Sequence, residues 1–157
     1  MTTTLLIGQG VDLPAKRTRI GLAWEPADPG AIPIDLDVSL LAYGANGQLL
    51  GATSSKGAAE AFGGAVVHSG DDSSGEGPGD DETIAIDLPA LPDGIHSVVV
   101  AVNAVTGQDF SSLLGAYVRV CQGRKEFGRL PLFGQALQRE AHHERDDMAA
   151  TGLVFAT

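Results

Sequence analysis

Residues 70 to 82 read Gly70-Asp71-Asp72-Ser73-Ser74-Gly75-Glu76-Gly77-Pro78-Gly79-Asp80-Asp81-Glu82, six carboxylates and four glycines with no basic residue among them. Two unit charges about 4 Å apart repel by roughly 4 kcal/mol at the effective dielectric of a protein surface. A chain carrying this run must therefore either spread it into water or gather it around a cation. The glycines suit the second solution, because Gly75, Gly77 and Gly79 reach backbone conformations closed to other residues and can turn carbonyls inward between the carboxylates. Pro78 stiffens the turn.

The acidity of the chain is concentrated rather than spread. Its 157 residues carry a formal charge of −10, from 20 acidic and 10 basic residues. The loop together with Asp35 and Asp37 holds eight of those acids, and the rest of the chain is close to neutral. Such a distribution fits a site or a local patch. No basic face is visible in the sequence, which argues against a nucleic-acid partner. Hydrophobic content of 43% and a mean hydropathy of +0.08 describe a soluble chain of about one domain, residues 1–157. The N-terminus lacks a basic segment followed by a long apolar one, so no signal peptide is read there. No transmembrane segment is expected either, because the longest apolar stretch, from Ile95 to Gly107, is interrupted by His96, Ser97, Asn103 and Thr106. The single Cys121 has no disulfide partner within the chain and reads as a buried, inert thiol of a cytoplasmic protein.

Short β-rich runs separated by Gly, Pro, Asn and Asp predict an all-β fold, a β-sandwich of two mainly antiparallel sheets. Strands are expected at Thr18–Trp24, Ile34–Tyr43, Gln48–Thr53, Ala65–His68, Glu82–Leu88, His96–Val105, Ala116–Gln122, Phe127–Leu132 and Leu153–Ala156. Ala45-Asn46-Gly47 joins the second and third as a hairpin, its Asn-Gly step favouring positive backbone angles. Val98 to Val102 is apolar on both faces, which predicts a central strand covered on both sides. Residues 134–150 are the one helical candidate, a surface helix with a thin stripe of Leu137, Ala141 and Met148. His143 and Asp147 at i,i+4, near His142 and Asp146, have the spacing of a metal pair, but a solvated polar face explains them more simply.

Asp35 and Asp37 alternate with Ile34, Leu36 and Val38, so a regular strand turns both carboxylates to one face, about 7 Å apart. Calcium takes six to eight oxygens from carboxylates, carbonyls and water and tolerates irregular geometry, which suits this strand together with the loop. The bland alternative is a solvated acidic loop that binds nothing specific. The acids do not follow the spacing of an EF-hand. The absence of Cys and His among them disfavours zinc and copper. His68, just before the loop, either orders it through a hydrogen bond or simply lies in the sandwich. Trp24 and Tyr117 read as packing residues. Ser73 and Ser74 have no identifiable base to activate them. A metal-dependent phosphodiesterase or other hydrolase is the alternative functional reading, since clustered carboxylates can hold two cations. The absence of Lys or Arg beside the loop counts against it.

These residues carry a family resemblance. Asp35-Leu36-Asp37-Val38-Ser39, the run from His68 to Glu82 and Ile86-Asp87-Leu88 are similar to the D-L-D-x-S, H-x-G-D-x-x-x-G-x-G-x-G-D-D-E and I-D-L motifs of the TerD family of tellurium-resistance and stress proteins. Gly21-Leu22-Ala23-Trp24, Gln108-Asp109-Phe110 and Ala116-Tyr117-Val118-Arg119-Val120 resemble further family steps, so the likeness spans most of residues 11–122. It implies a cytoplasmic, non-enzymatic β-sandwich that binds one or two calcium ions. The motif positions carried over are Asp35, Asp37, Asp71, Asp72, Gly75, Glu76, Gly77, Asp80, Asp81 and Glu82. Among these, Asp35, Asp37, Asp71, Asp80, Asp81 and Glu82 are favoured as carboxylate ligands, with carbonyls from Gly75 and Gly77. The chain departs from the pattern by a shorter step between Ala104 and Gln108, a longer segment at 134–150 and the apparent lack of the family's last strand and tail. An edge left unpaired by that loss would invite homo-oligomerisation, unless a rearranged C-terminus covers it.

Overall fold

The computed structural model describes residues 2–6, 8–26, 34–105, 113–132 and 151–156, with only the backbone of Pro26 and of 151–156. The Gln108-Asp109-Phe110 step, the 134–150 helix and the His142, His143, Asp146, Asp147 group lie outside the described residues. Among the described residues, eleven strands form two sheets: β1 (Thr3–Thr4), β2 (Arg17–Pro26), β3 (Leu36–Tyr43), β4 (Leu49–Ser54), β5 (Glu60–Ala61), β6 (Val66–His68), β7 (Glu82–Asp87), β8 (Ser97–Ala104), β9 (Leu113–Gln122), β10 (Lys125–Pro131) and β11 (Thr151–Ala156). One sheet has the order β1-β10-β9-β2-β7-β6-β5 and the other β11-β8-β3-β4. Every pairing is antiparallel except β1 with β10. The expected strands are all present within a few residues. The additions β1 and β5 are two residues each, too short to show a periodicity.

Period-two alternation builds the core. Ile20 and Leu22 of β2, Ile84 and Ile86 of β7, and Val118 and Val120 of β9 meet Leu36, Val38, Leu40 and Ala42 of β3 and Val98, Val100 and Val102 of β8. Each of these is at most 2% exposed. The apolar run of β8 was expected to be covered on both faces, and here the structure differs. β8 is an inner strand, between β3 and β11, but Val99 and Ala101 are only half-buried. Among the described residues, the four-stranded sheet packs against its partner sheet on one side only. The expected strand at Leu153–Ala156 is the end of β11, which pairs along β8 from Ser97 to Val102.

The β3–β4 turn also differs in detail. Gly47 donates its N–H to the Gly44 carbonyl and takes φ +77°, whereas Asn46 keeps a negative φ and uses its side-chain oxygen to accept the Gln48 N–H. This is a type I turn followed by a left-handed glycine, the three-residue hairpin solution.

At its other end the hairpin leaves β3 longer than its neighbour. β4 pairs with β3 only from Ser39 to Tyr43, so Asp37 and Val38 run past Ser54 without a strand on that side. That overhang positions the acidic groups. Because Leu40 is fully buried and Leu41 half-buried on the opposite face, Leu40→Ala is expected to cost about 2–5 kcal/mol. Leu41→Ala should cost less than half of that in urea denaturation. Equal losses would contradict the register.

Candidate metal centre

The overhang of β3 exposes the N–H and carbonyl of Val38 inside the sandwich, and two side chains from the opposite sheet take them up. Glu82 shares the inward face of β7 with Ile84 and Ile86, and His68 shares that of β6 with Val66. The Glu82 Oε2 accepts the Val38 N–H at 2.9 Å, and the His68 Nε2 lies 3.1 Å from the Val38 carbonyl. Neither side chain has measurable exposure. The other Glu82 oxygen accepts the Asp72 N–H at 3.2 Å, and His68 Nδ1 accepts the Gly70 N–H at 3.0 Å. The same two residues that close the end of the core therefore hold the first half of the acidic loop. Both sequence readings of His68 apply together. Burial is the largest influence on its pKa and lowers it, but the Glu82 contact, the Val38 carbonyl and Asp37 together leave it above the usual value. The Gly70 N–H nevertheless favours the neutral ring with its proton on Nε2, since an imidazolium has no acceptor to offer.

The loop is built by its own acids. Asp72 Oδ1 accepts the Ser74 N–H, the Gly75 N–H and the Ser74 hydroxyl at 2.9–3.1 Å, and the Ser74 N–H above all holds its pKa below the ordinary value. Gly75 takes φ +64° against the Trp24 indole, where a Cβ would fall 2.4 Å from Nε1. Trp24 is buried and donates its indole N–H to the Ile34 carbonyl. Asp81 accepts the Trp24 N–H at 3.0 Å. Burial raises its pKa, opposed by that bond and reinforced by Asp72, Asp80 and Glu82. Glu76 and Gly77 are exposed on the rim.

Asp80 is held elsewhere. Its carboxylate is 2.7 Å from Arg119 Nε and 3.5 Å from Arg19 Nη2, over the outer face of the seven-stranded sheet. There Arg129 is bidentate to Glu126 and stacks on Tyr117, its guanidinium carbon 4.1 Å from the ring centroid. Arg19 and Arg119 are far from Asp80 in sequence and are brought to it by β2 and β9. Gly21 provides the space for Asp80: a Cβ there would lie 2.3 Å from the carboxylate.

Asp35, Asp37 and Asp71 come together. One oxygen from each lies within 4.8 Å of the others. Asp35 and Asp37 are 9% and 6% exposed, so the acidic face expected of this strand is present and covered. The loop and the chain leaving β4 do the covering: the Ser55 hydroxyl donates to Asp37, and Lys56 Nζ is 2.6 Å from Asp71 and 3.9 Å from Asp35. Neither Ser55 nor Lys56 was anticipated. Extending the β3–β4 register past Ser39↔Ser54 would have led to them. Burial raises the Asp35 pKa; Lys56 opposes this, and Asp37, Asp71 and Glu82 add to it.

An ion touching three oxygens at the calcium distance of about 2.3–2.6 Å requires them to be no more than about 5 Å apart, so the donor set and its spacing fit a hard cation of that size. Among the described residues this is the one carboxylate, His or Cys group of three that meets such a criterion.

A two-sheet sandwich with an acidic pole of this kind defines a class, and comparison with known proteins places the chain in it. The TerD domain model matches residues 1–141, and the chain belongs to that family. It is 35% identical to the tellurium resistance protein TerZ of Serratia marcescens over 125 residues, 73% of this chain and 64% of the relative. It is 31% identical to the tellurium resistance protein TerD of an Alcaligenes species, covering 67% of this chain and 58% of that one. With the stress response protein SCP2 of Bacillus subtilis (strain 168) it shares 32% identity, over 76% and 71%. The chain thus spans about three-fifths of the length of the tellurium resistance relatives. In fold it matches the crystal structure of a TerD homologue, SCO6318 from Streptomyces coelicolor A3(2), with a TM-score of 0.64 at 23% identity over 74% of this chain and 71% of that one.

Two outcomes follow from these contacts. Gly21→Ala should destabilise the protein by about 1–3 kcal/mol, because Asp80 is locked between two guanidiniums and cannot yield; an unchanged denaturation midpoint would contradict that packing. For Asp35, a folded pKa above the unfolded one means stability that is full below the unfolded value near 4 and declines as pH rises through the folded value. Asp35→Asn should therefore melt higher than wild type at pH 7 in chelator, with the difference shrinking towards pH 4.

Proposed function

We propose that the chain is a non-catalytic, calcium-binding module of the tellurium-resistance and stress-response type, with Asp35, Asp37 and Asp71 as the carboxylate ligands. The observation that carries this reading is the convergence of three carboxylates, two of them buried, within 4.8 Å. Taking two charges out of water beside a third is costly unless a positive charge compensates them. A bound divalent cation would supply that charge and tie the β3 overhang to the loop. Neighbouring carboxylates have structural partners: Glu82 to Val38 and Asp72, Asp81 to Trp24, Asp80 to Arg119. The second ion implied by the family resemblance would have to draw on Asp72, Glu76, Asp80, Asp81 or Glu82 and on the carbonyls of Gly75 and Gly77. The names of the relatives support the stress-type role, and a cytoplasmic location goes with it; no helix among the described residues is long and apolar enough to cross a membrane.

Calorimetric titration of chelator-stripped protein with calcium tests the proposal. Wild type should bind and Asp37→Asn should not, and calcium at 100 times its dissociation constant should stabilise the fold by roughly 2.7 kcal/mol. No heat at millimolar calcium and no change in melting temperature would overturn it. Phosphoester turnover supported by magnesium and lost in Asp35→Asn would overturn the non-catalytic part.

A further inference from the structure

We propose that Lys56 is a tethered cation that calcium must displace from the Asp35–Asp37–Asp71 carboxylates, so that this lysine sets the concentration at which the site fills. The inference rests on the calcium reading above and adds its regulation. Lys56 Nζ is 2.6 Å from Asp71 Oδ2 and 3.9 Å from Asp35 Oδ2, two of the three carboxylates that would coordinate the ion. An ammonium seated this close to two of the three carboxylates opposes a divalent ion on the same group, because their positive charges would repel at contact range.

The architecture anchors the lysine backbone and leaves its head mobile. The chain turns sharply after β4, with the Ser54 N–H donating to the Ala58 carbonyl at 3.1 Å. Gly57 permits that turn, since a Cβ there would fall 2.7 Å from the Ser54 hydroxyl. Ser55, beside Lys56, is pinned to Asp37. The Lys56 side chain itself is half exposed, a flexible four-carbon stem carrying a strongly hydrated point charge. It can swing into water without disturbing the strand. Seated, it neutralises part of the carboxylate repulsion and keeps the pole assembled; displaced, it surrenders the oxygens to the metal. The apparent affinity is then the intrinsic one reduced by the fraction of time the site is open.

The test titrates calcium chloride into chelator-stripped wild type and Lys56→Met, with Lys56→Gln as a second variant should the methionine aggregate. In parallel, wild type is pulsed with an amine-acylating reagent with and without calcium, and labelling is read by mass spectrometry. Lys16 and Lys125, the other lysines of the chain, serve as internal references. If the ammonium is seated about nine-tenths of the time, the variant binds calcium about tenfold tighter. It also melts lower than wild type in chelator, and Lys56 of wild type acylates faster when calcium saturates the site while Lys16 and Lys125 do not change. Equal affinities, or tighter binding with Lys56 labelling unmoved by calcium, would overturn the displacement and leave the calcium reading standing. The absence of calcium binding in both chains would overturn the calcium reading and this inference with it.

Discussion

The buried carboxylate of Glu82 is the constraint on which the acidic pole depends. It is a charge-bearing group with no exposure at a core position, tolerable only because both its oxygens accept backbone N–H groups, from Val38 and Asp72, with the His68 ring beside it. The Val38 N–H needs such an acceptor because β4 stops short along β3. The overhang and the buried acid are therefore two halves of one arrangement. It fastens one sheet to the other at the end of the core and holds the loop over Asp35 and Asp37.

From that anchor the loop separates carboxylates with different tasks. Asp72 and Asp81 satisfy backbone N–H groups within and beside the loop, and Asp80 joins two arginines across the outer sheet face. Asp71 is left to meet the strand acids. Acids pinned by hydrogen bonds and ion pairs give the loop its shape, and this lets the remaining carboxylates converge despite their repulsion. Lys56 tempers that repulsion from the side.

Much of the fold was legible in the sequence because strand periodicity and turn residues are local. The alternation Ile20, Leu22 on β2 or Leu36, Val38, Leu40 on β3 shows the inward face directly, and every long strand is found where its pattern lies. The turn at Asn46-Gly47 was placed correctly, although only the glycine takes a positive angle. The apolar outer face of β8 misled, since Val99 and Ala101 look like core but are covered on that side only in part. At the site, the motifs named the acidic residues without sorting them by the contacts that the fold gives each. Glu82 lies in phase with Ile84 and Ile86, a clue to its burial, whereas nothing near Asp80 in sequence announces Arg19 or Arg119. Those ion pairs span 61 and 39 residues and depend on strand order, which a local pattern does not encode. Ser55 and Lys56 fall between these cases, within reach of anyone who extends the hairpin register.

Crystals of the chelator-stripped protein soaked in calcium chloride, with anomalous scattering to locate the ion, test the central claim most directly. The account predicts an ion about 2.3–2.6 Å from oxygens of Asp35, Asp37 and Asp71, with Lys56 withdrawn and Glu82 still bonded to Val38. Calcium bound in the loop with Asp35 and Asp37 out of its reach, or no ordered ion at all, would contradict it.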